Sequence, residues 1–172
     1  VAVKIRQLEA SDLAKEVADF AELLHACVVD GASVGFIVPF SLAEAAAFWR
    51  DKVLPGMNGT VLLAAFDHDR LVGTVQLGHD TMPNQPHRAD VRKLLVHPDM
   101  RRRGIAKALM VELEAEAKRL KRSLLTLDTR TGDKAEPLYT ALGYETVGVI
   151  PDFCRDTLSD RLDGTTIMFK RI

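Results

Sequence analysis

Three arginines, a glycine and a lysine crowd the segment Arg101-Arg102-Arg103-Gly104-Ile105-Ala106-Lys107, which runs directly into an amphipathic helical pattern. The first amides of a helix have no internal acceptors and gather partial positive charge, so this junction suits a diphosphate. Gly104 lacks a Cβ and lets backbone approach an anion, and Ala106 keeps the next position small. The arginines add charge-assisted bonds to phosphate oxygens. Positive charge at a helix N-terminus opposes the helix dipole, so three arginines there are unfavourable unless an anion compensates them. That conflict favours a binding site over a solvated helix start, although an Arg/Gly pattern this short fits either reading when taken alone.

The elements that must position this loop are legible from periodicity. Val91–Val96 closes a strand that begins near Ala89, and His97-Pro98 turns the chain out of it. Ile105, Leu109, Leu113, Ala117 and Leu120 keep helical spacing after the loop. Upstream, the alternation from Val1 through Gln7 predicts an opening strand. Ser11 or Asp12 is expected to cap a helix through Leu13, Val17, Phe20, Leu24 and Val28. Ser41 with Glu44 forms a capping box for a second helix through Trp49 and Val53. Thr60–Phe66 and Leu71–Leu77 flank a four-residue polar turn and predict an antiparallel hairpin.

Downstream, Leu124–Thr129 predicts a strand. Asp133 and Glu136 start a helix with Pro137 in its first turn, and Gly143 ends it. Tyr144–Ile150 and Thr165–Lys170 predict two closing strands joined by a polar loop, Pro151–Gly164. The order β-α-α-β-β-β-α-β-α-β-β implies an α/β fold, one mixed twisted sheet of about seven strands flanked by about four helices. Two strand–helix–strand units imply local parallel pairing in each. Residues 1–172 are expected to form a single domain.

Bulk properties exclude several classes. The formal net charge of −1 argues against generic nucleic-acid binding. Two cysteines far apart, Cys27 and Cys154, form neither a metal cluster nor a disulfide framework, and reduced thiols point to a cytoplasmic protein. The five histidines show no metal-ligand spacing, so no metal is expected. His97 reads as a turn residue. No apolar run reaches transmembrane length, so no membrane partner is expected. Gly-x-x-x-x-Gly-Lys-Ser/Thr is absent, which argues against a nucleotide hydrolase.

The stretch Leu94-Leu95-Val96-His97-Pro98 followed by Arg101-x-x-Gly104-x-Ala106 resembles the coenzyme-binding motif of GNAT acetyltransferases. Ala135-Glu136-Pro137-Leu138-Tyr139 through Gly143-Tyr144 resembles a second segment of that family, and the element order matches over essentially the whole chain. Gly31–Phe36, Leu125-x-Leu127-Asp128-Thr129 and the tail from Pro151 through Cys154 to Lys170 are similar to the tabtoxin-resistance branch, whose acceptor is a β-lactam toxin. The resemblance implies acetyl-CoA as cosubstrate, with Arg101–Lys107 at its diphosphate. Its pantetheine arm would pair with Leu94, Leu95 and Val96 in a gap where the fourth and fifth strands splay apart. An amide near Leu95 or Val96 would stabilise the oxyanion.

An aliphatic ammonium has a pKa of about 10, so the acceptor must lose a proton before attack. Asp90 and Asp128, on neighbouring strands, are expected to share a site as the base, directly or through water. Strand alternation places Asp90, Arg92 and Leu94 on one face. The family's first acid is a glutamate, one methylene longer than Asp90, which favours a water relay. Tyr139 is expected to protonate the departing thiolate. Gly132 stands where many relatives carry an asparagine for the pantetheine arm. The expected reaction is direct acetyl transfer to the amine of a small molecule: a tabtoxin-type compound, an amino acid, a polyamine or a peptide amine. Gly31–Phe36 and Pro151–Gly164 would shape its pocket. A homodimer is a family-level expectation. The competing reading is a non-catalytic acyl-CoA sensor, which would not need Asp90, Asp128 and Tyr139 together.

Overall fold

In a computed structural model, residues 2–172 are described, so Val1 lies outside them. The elements follow the expected order: β1 (Lys4–Leu8), α1 (Ala10–Val29), α2 (Leu42–Phe48), β2 (Thr60–Asp67), β3 (Arg70–Gly78), β4 (Arg88–Val96), α3 (Ile105–Arg119), β5 (Leu124–Arg130), α4 (Ala135–Ala141), β6 (Glu145–Arg155) and β7 (Leu162–Arg171). They form a seven-stranded mixed sheet in the order β1-β2-β3-β4-β5-β7-β6. Every pair is antiparallel except β4–β5. Only the β4–α3–β5 unit yields a parallel pair. β7 inserts between β5 and β6, which corrects the expectation of a second parallel pair.

β2 shows why both faces are covered. Val61 through Phe66 are all buried, a continuous apolar run rather than an alternating one. Val61, Leu63 and Ala65 join the core under α3, with Ile105, Leu109 and Leu113. Leu62, Ala64 and Phe66 join the opposite core under α1 and α2, with Phe20, Leu24 and Trp49. α3 lies close to the sheet at Gly73, where a Cβ would meet the Leu95 carbonyl at 3.0 Å and the Ile105 and Leu109 side chains at 3.2 Å.

Local signals hold with three corrections, the first being that Lys134, not Asp133 or Glu136, caps α4, with no side-chain capping bond. Ser41 and Glu44 do form the capping box of α2, and a π-helical turn over Trp49–Val53 carries the helix on. The cap of α1 is Glu9, with Asp12 answering as its third helical residue, not Ser11 or Asp12 as cap. Gly143 ends α4 at φ 88°, with the Tyr144 amide donating to the Tyr139 carbonyl. The expected Pro151–Gly164 loop is largely strand. β6 runs to Arg155 across a bulge between Ile150 and Cys154, because Cys154 and Arg155 still pair with β7. Among the described residues, no helix is long and apolar enough to cross a membrane, and no three metal-ligating side chains come together.

Candidate active site

β4 carries the irregularity on which the site depends. Thr74 pairs with Leu95 but Gln76 pairs with Arg92, so Lys93 and Leu94 together oppose Val75. This is a β-bulge, with Lys93 at φ 51°. Holding a lysine in the left-handed region costs ~1–2 kcal/mol, and such strain concentrates at functional sites. The bulge also reverses the pleat. Ala89 and Val91 before it, and Leu94 and Val96 after it, pack on the α3 side, whereas Leu95 packs on the α1 side. The expected common face of Asp90, Arg92 and Leu94 is therefore corrected: Leu94 faces the other way.

The β4–β5 ladder is short. Arg88, Ala89 and Asp90 pair with Leu124, Leu125 and Thr126, and pairing then stops. From there the strands part toward their C-terminal ends. Two cavities meet at this gap, one of about 630 Å³ on the loop side and one of about 690 Å³ on the other. Leu94, Ala32 and Ala135 line both.

The loop-side cavity is walled by Leu94, Leu95, Val96, Arg101, Arg102, Gly104, Ile105, Ala106 and Lys107. Gly104 caps α3 at φ 79°, a conformation that selects glycine, and no side chain caps the helix. A Cβ built on Gly104 meets no atom of a residue outside its immediate chain neighbourhood within 4 Å. Among the described residues, the amides of Arg102 through Lys107 donate to no protein acceptor. Six unpaired donors at a helix start, beside Arg102 and Lys107, fit a diphosphate on the donor set alone.

The arginines are not equivalent. Arg101 pairs with Asp30 at the end of α1 and donates through Nε to the Val96 carbonyl at 3.3 Å. It ties α1 to the loop, and its charge is already matched. Cys27 Sγ reaches the same carbonyl at 3.4 Å. Burial pushes the Cys27 thiol up to about 11 despite the nearby Arg101, so it is a packed thiol rather than a nucleophile. Arg103 does not line the cavity; its guanidinium approaches the Asp99 carbonyl at 3.5 Å. His97 caps the turn over Pro98–Met100, accepting from the Asp99 amide.

The second cavity brings together Lys93, Leu94, Asp128, Tyr139, Gly35 and Cys154. Asp128 accepts from the Thr165 hydroxyl at 3.0 Å. Tyr139 is 6% exposed, and its ring packs 5.7 Å from that of Tyr144. Burial, then the charges of Asp133 and Asp128, push its phenol well above the usual tyrosine range.

Asp90 is not brought to this group. It lines neither cavity, and its carboxylate is held by Arg88, Thr126 and, at 3.4 Å, Arg92. Thr126 separates it from Asp128, which lies two residues further along β5. Cys154 contacts the Ser33 hydroxyl at 3.8 Å and has no histidine beside it. Gly132 sits at φ 78°, and its amide donates to Glu136 at the start of α4.

Two residues of the site escape sequence reasoning. Lys93 and Gln76 look like ordinary members of β4 and β3, and only the bulge and the register bring both to the cavity wall. A lysine between Arg92 and three apolar residues was the one available hint.

Residues 3–159 match the family profile described as Acetyltransferase (GNAT) domain. The chain is similar in fold to an N-acetyltransferase from Staphylococcus aureus Mu50, at 15% identity over 99% of each chain and a TM-score of 0.80. It is similar to a ribosomal-protein-alanine N-acetyltransferase from Brucella melitensis, at 20% identity over 98% of this chain and 99% of that one, with a TM-score of 0.76. A phosphinothricin acetyltransferase from Sinorhizobium meliloti, solved in complex with acetyl-CoA, aligns at 22% identity over all of this chain and 89% of its own, with a TM-score of 0.78.

Proposed function

Because this chain belongs to the GNAT acetyltransferases, we propose that it moves an acetyl group from acetyl-CoA to the amine of a small molecule, by direct attack in a ternary complex. The observation that carries this reading is the pair of cavities meeting at Leu94, one walled by unpaired helix amides and the other by Asp128 and Tyr139. Two reactants entering through cavities that share this wall need no enzyme nucleophile between them.

The amides of Arg102–Lys107 would hold the diphosphate, with Arg102 and Lys107 adding charge. Arg101 acts through position, fixing the loop against α1, and Arg103 supplies charge from outside the cavity. Leu94, Leu95 and Val96 would line the pantetheine arm. The Val96 carbonyl is engaged by Cys27 and Arg101, so the arm's partners lie at Leu94 and Leu95. The bound thioester supplies the electrophilic carbonyl.

Asp128 is the proposed base, accepting the proton of the acceptor's ammonium, and Tyr139 the proposed acid for the thiolate. Asp90 enters, if it acts, through Thr126 and a relay, because Arg88 and Arg92 already hold its carboxylate. Catalysis is favoured over a passive sensor because a carboxylate, Asp128, and a buried phenol, Tyr139, line one cavity opposite the coenzyme loop, a pairing that a sensor does not need.

The acceptor is narrower still on resemblance to the tabtoxin-resistance branch, which points to a toxin of that kind. The phosphinothricin acetyltransferase neighbour supports the fold of such enzymes. Residues 1–172 are proposed to form one catalytic domain, and a cytoplasmic location and a homodimer belong to the same reading. An acetyl-CoA consumption screen over amines, including tabtoxin-like compounds, amino acids, polyamines and peptides, tests it. Turnover with a small amine supports the reading, and coenzyme binding without turnover of any amine supports the sensor.

A further inference from the structure

Two opposite charges face the acceptor cavity without neutralising each other. The Lys93 ammonium donates to the Val34 carbonyl at 2.8 Å, and the Asp128 carboxylate accepts from Thr165. Among the described residues the two form no ion pair, although each lines the same cavity. The other guanidinium groups on this wall are committed, Arg92 to Asp90 and Arg130 to Asp156 at 3.0 Å. Lys52, Asp80 and Asp133 also line it; Lys52 is exposed, where solvent screens its charge, and Asp133 pairs with Arg130 at 3.5 Å.

An ammonium has three donors, and Lys93 uses one on the protein. The Lys93 Nζ lies 5.7 Å from the centre of the Phe48 ring and 3.8 Å from where a Gly35 Cβ would stand. It thus turns toward the Val34–Gly35 segment and Phe48. Its burial lowers its proton affinity, with Asp128 opposing that and Arg92 adding to it. A half-buried cation in this state gains by meeting an anion.

Gln76 adds an independent observation. It is 6% exposed, lines the same cavity, and its amide nitrogen has no hydrogen-bond partner among the described residues. Buried amide donors in native folds are paired, and one left open on a cavity wall calls for an acceptor from outside the chain. Gln76 pairs with Arg92 across β3–β4, one residue before Lys93. Both donors therefore lie on the wall made by the bulge.

We propose that Lys93 and Gln76 bind a carboxylate of the acceptor, so that the substrate is an amine carrying a carboxylate rather than a simple alkylamine or a polyamine. The ammonium end meets Asp128 near the thioester, and the carboxylate meets Lys93 and Gln76 on the facing wall. A polyamine would bring a second cation to Lys93, which acts against it. This inference rests on the acetyltransferase reading and narrows its substrate class.

The test pairs each of the common amino acids, and alanyl dipeptides made from them, with the amine left when the carboxylate is removed. Acetylation is followed in wild type, Lys93→Met, Lys93→Arg and Gln76→Leu. In wild type, kcat/KM for the best carboxylated acceptor exceeds that of its decarboxylated partner by tenfold to a hundredfold, on the order of one charged hydrogen bond. Lys93→Met collapses that ratio toward one, Gln76→Leu reduces it, and Lys93→Arg retains most of it. Equal rates for both members of every pair, a ratio unmoved by Lys93→Met, or no turnover of any carboxylated acceptor overturns the proposal. The rise in melting temperature with acetyl-CoA, measured on the same four proteins, reports separately on the acetyltransferase reading and on whether each variant folds.

Discussion

Replacing Tyr139 with phenylalanine separates chemistry from architecture at this site. The ring is 6% exposed and packs against Tyr144, and phenylalanine keeps that packing. No hydrogen bond contributes to the upward shift of its phenol, only burial and the charges of Asp133 and Asp128. Removing the hydroxyl therefore strands no protein partner. The stability change should stay within about 1 kcal/mol, which is ~2–4 °C in melting temperature for a chain of this length. A positioned proton donor contributes ~10²–10⁴ in rate, or about 3–5 kcal/mol of barrier. Tyr139→Phe should thus lower kcat at least ~100-fold while acetyl-CoA raises the melting temperature as in wild type. Turnover within a few-fold of wild type would remove Tyr139 from the mechanism. Loss of both turnover and coenzyme response would show that its role is to position α4.

Two further perturbations probe the loop and the core. Gly104→Ala places a Cβ where no atom beyond its immediate chain neighbourhood lies within 4 Å, but at φ 79°, so strain alone should cost ~1–2 kcal/mol and weaken acetyl-CoA binding. Gly148→Ala, where a Cβ also meets open space without a left-handed φ, serves as the comparison in thermal unfolding and should be near neutral. The Tyr144 hydroxyl is buried without a partner, and burial, then Glu114, then Tyr139 raise its proton affinity. The folded state therefore keeps this phenol protonated after the unfolded chain has begun to ionise, so the stability it contributes is full below pH ~10 and is lost as pH rises above that. Tyr144→Phe should be as stable as wild type at neutral pH and lose stability less steeply above pH ~10, as read by urea unfolding.

The turn of unpaired amides that opens α3 was legible because its signal is local: helical spacing from Ile105 onward, a glycine before it, and charges that conflict with the dipole. The hairpin of β2 and β3 and the capping box at Ser41 were legible for the same reason. What escaped depends on distant pairings. Val91-Arg92-Lys93-Leu94-Leu95-Val96 can be pleated in either phase, and only its register against β3 sets the bulge at Lys93. The commitment of Arg101 to Asp30 joins residues far apart in the chain, and so does the Cys27 contact to Val96. β7 entering between β5 and β6 cannot be read from element order, since either neighbour of β5 satisfies its hydrophobic pattern. Asp90 was placed beside Asp128 by their neighbouring strands and by resemblance, but the partners Arg88, Arg92 and Thr126 that hold its carboxylate are set by side-chain packing, which strand adjacency does not reveal.

Titration calorimetry with coenzyme A and with pantetheine, which has the arm but no diphosphate, weighs the unpaired amides of Arg102–Lys107 most directly. If those amides hold the diphosphate, coenzyme A binds at least ~100-fold tighter, about 2.7 kcal/mol, and added salt narrows the difference. Equal affinity for the two ligands, or no heat from coenzyme A, would contradict the account.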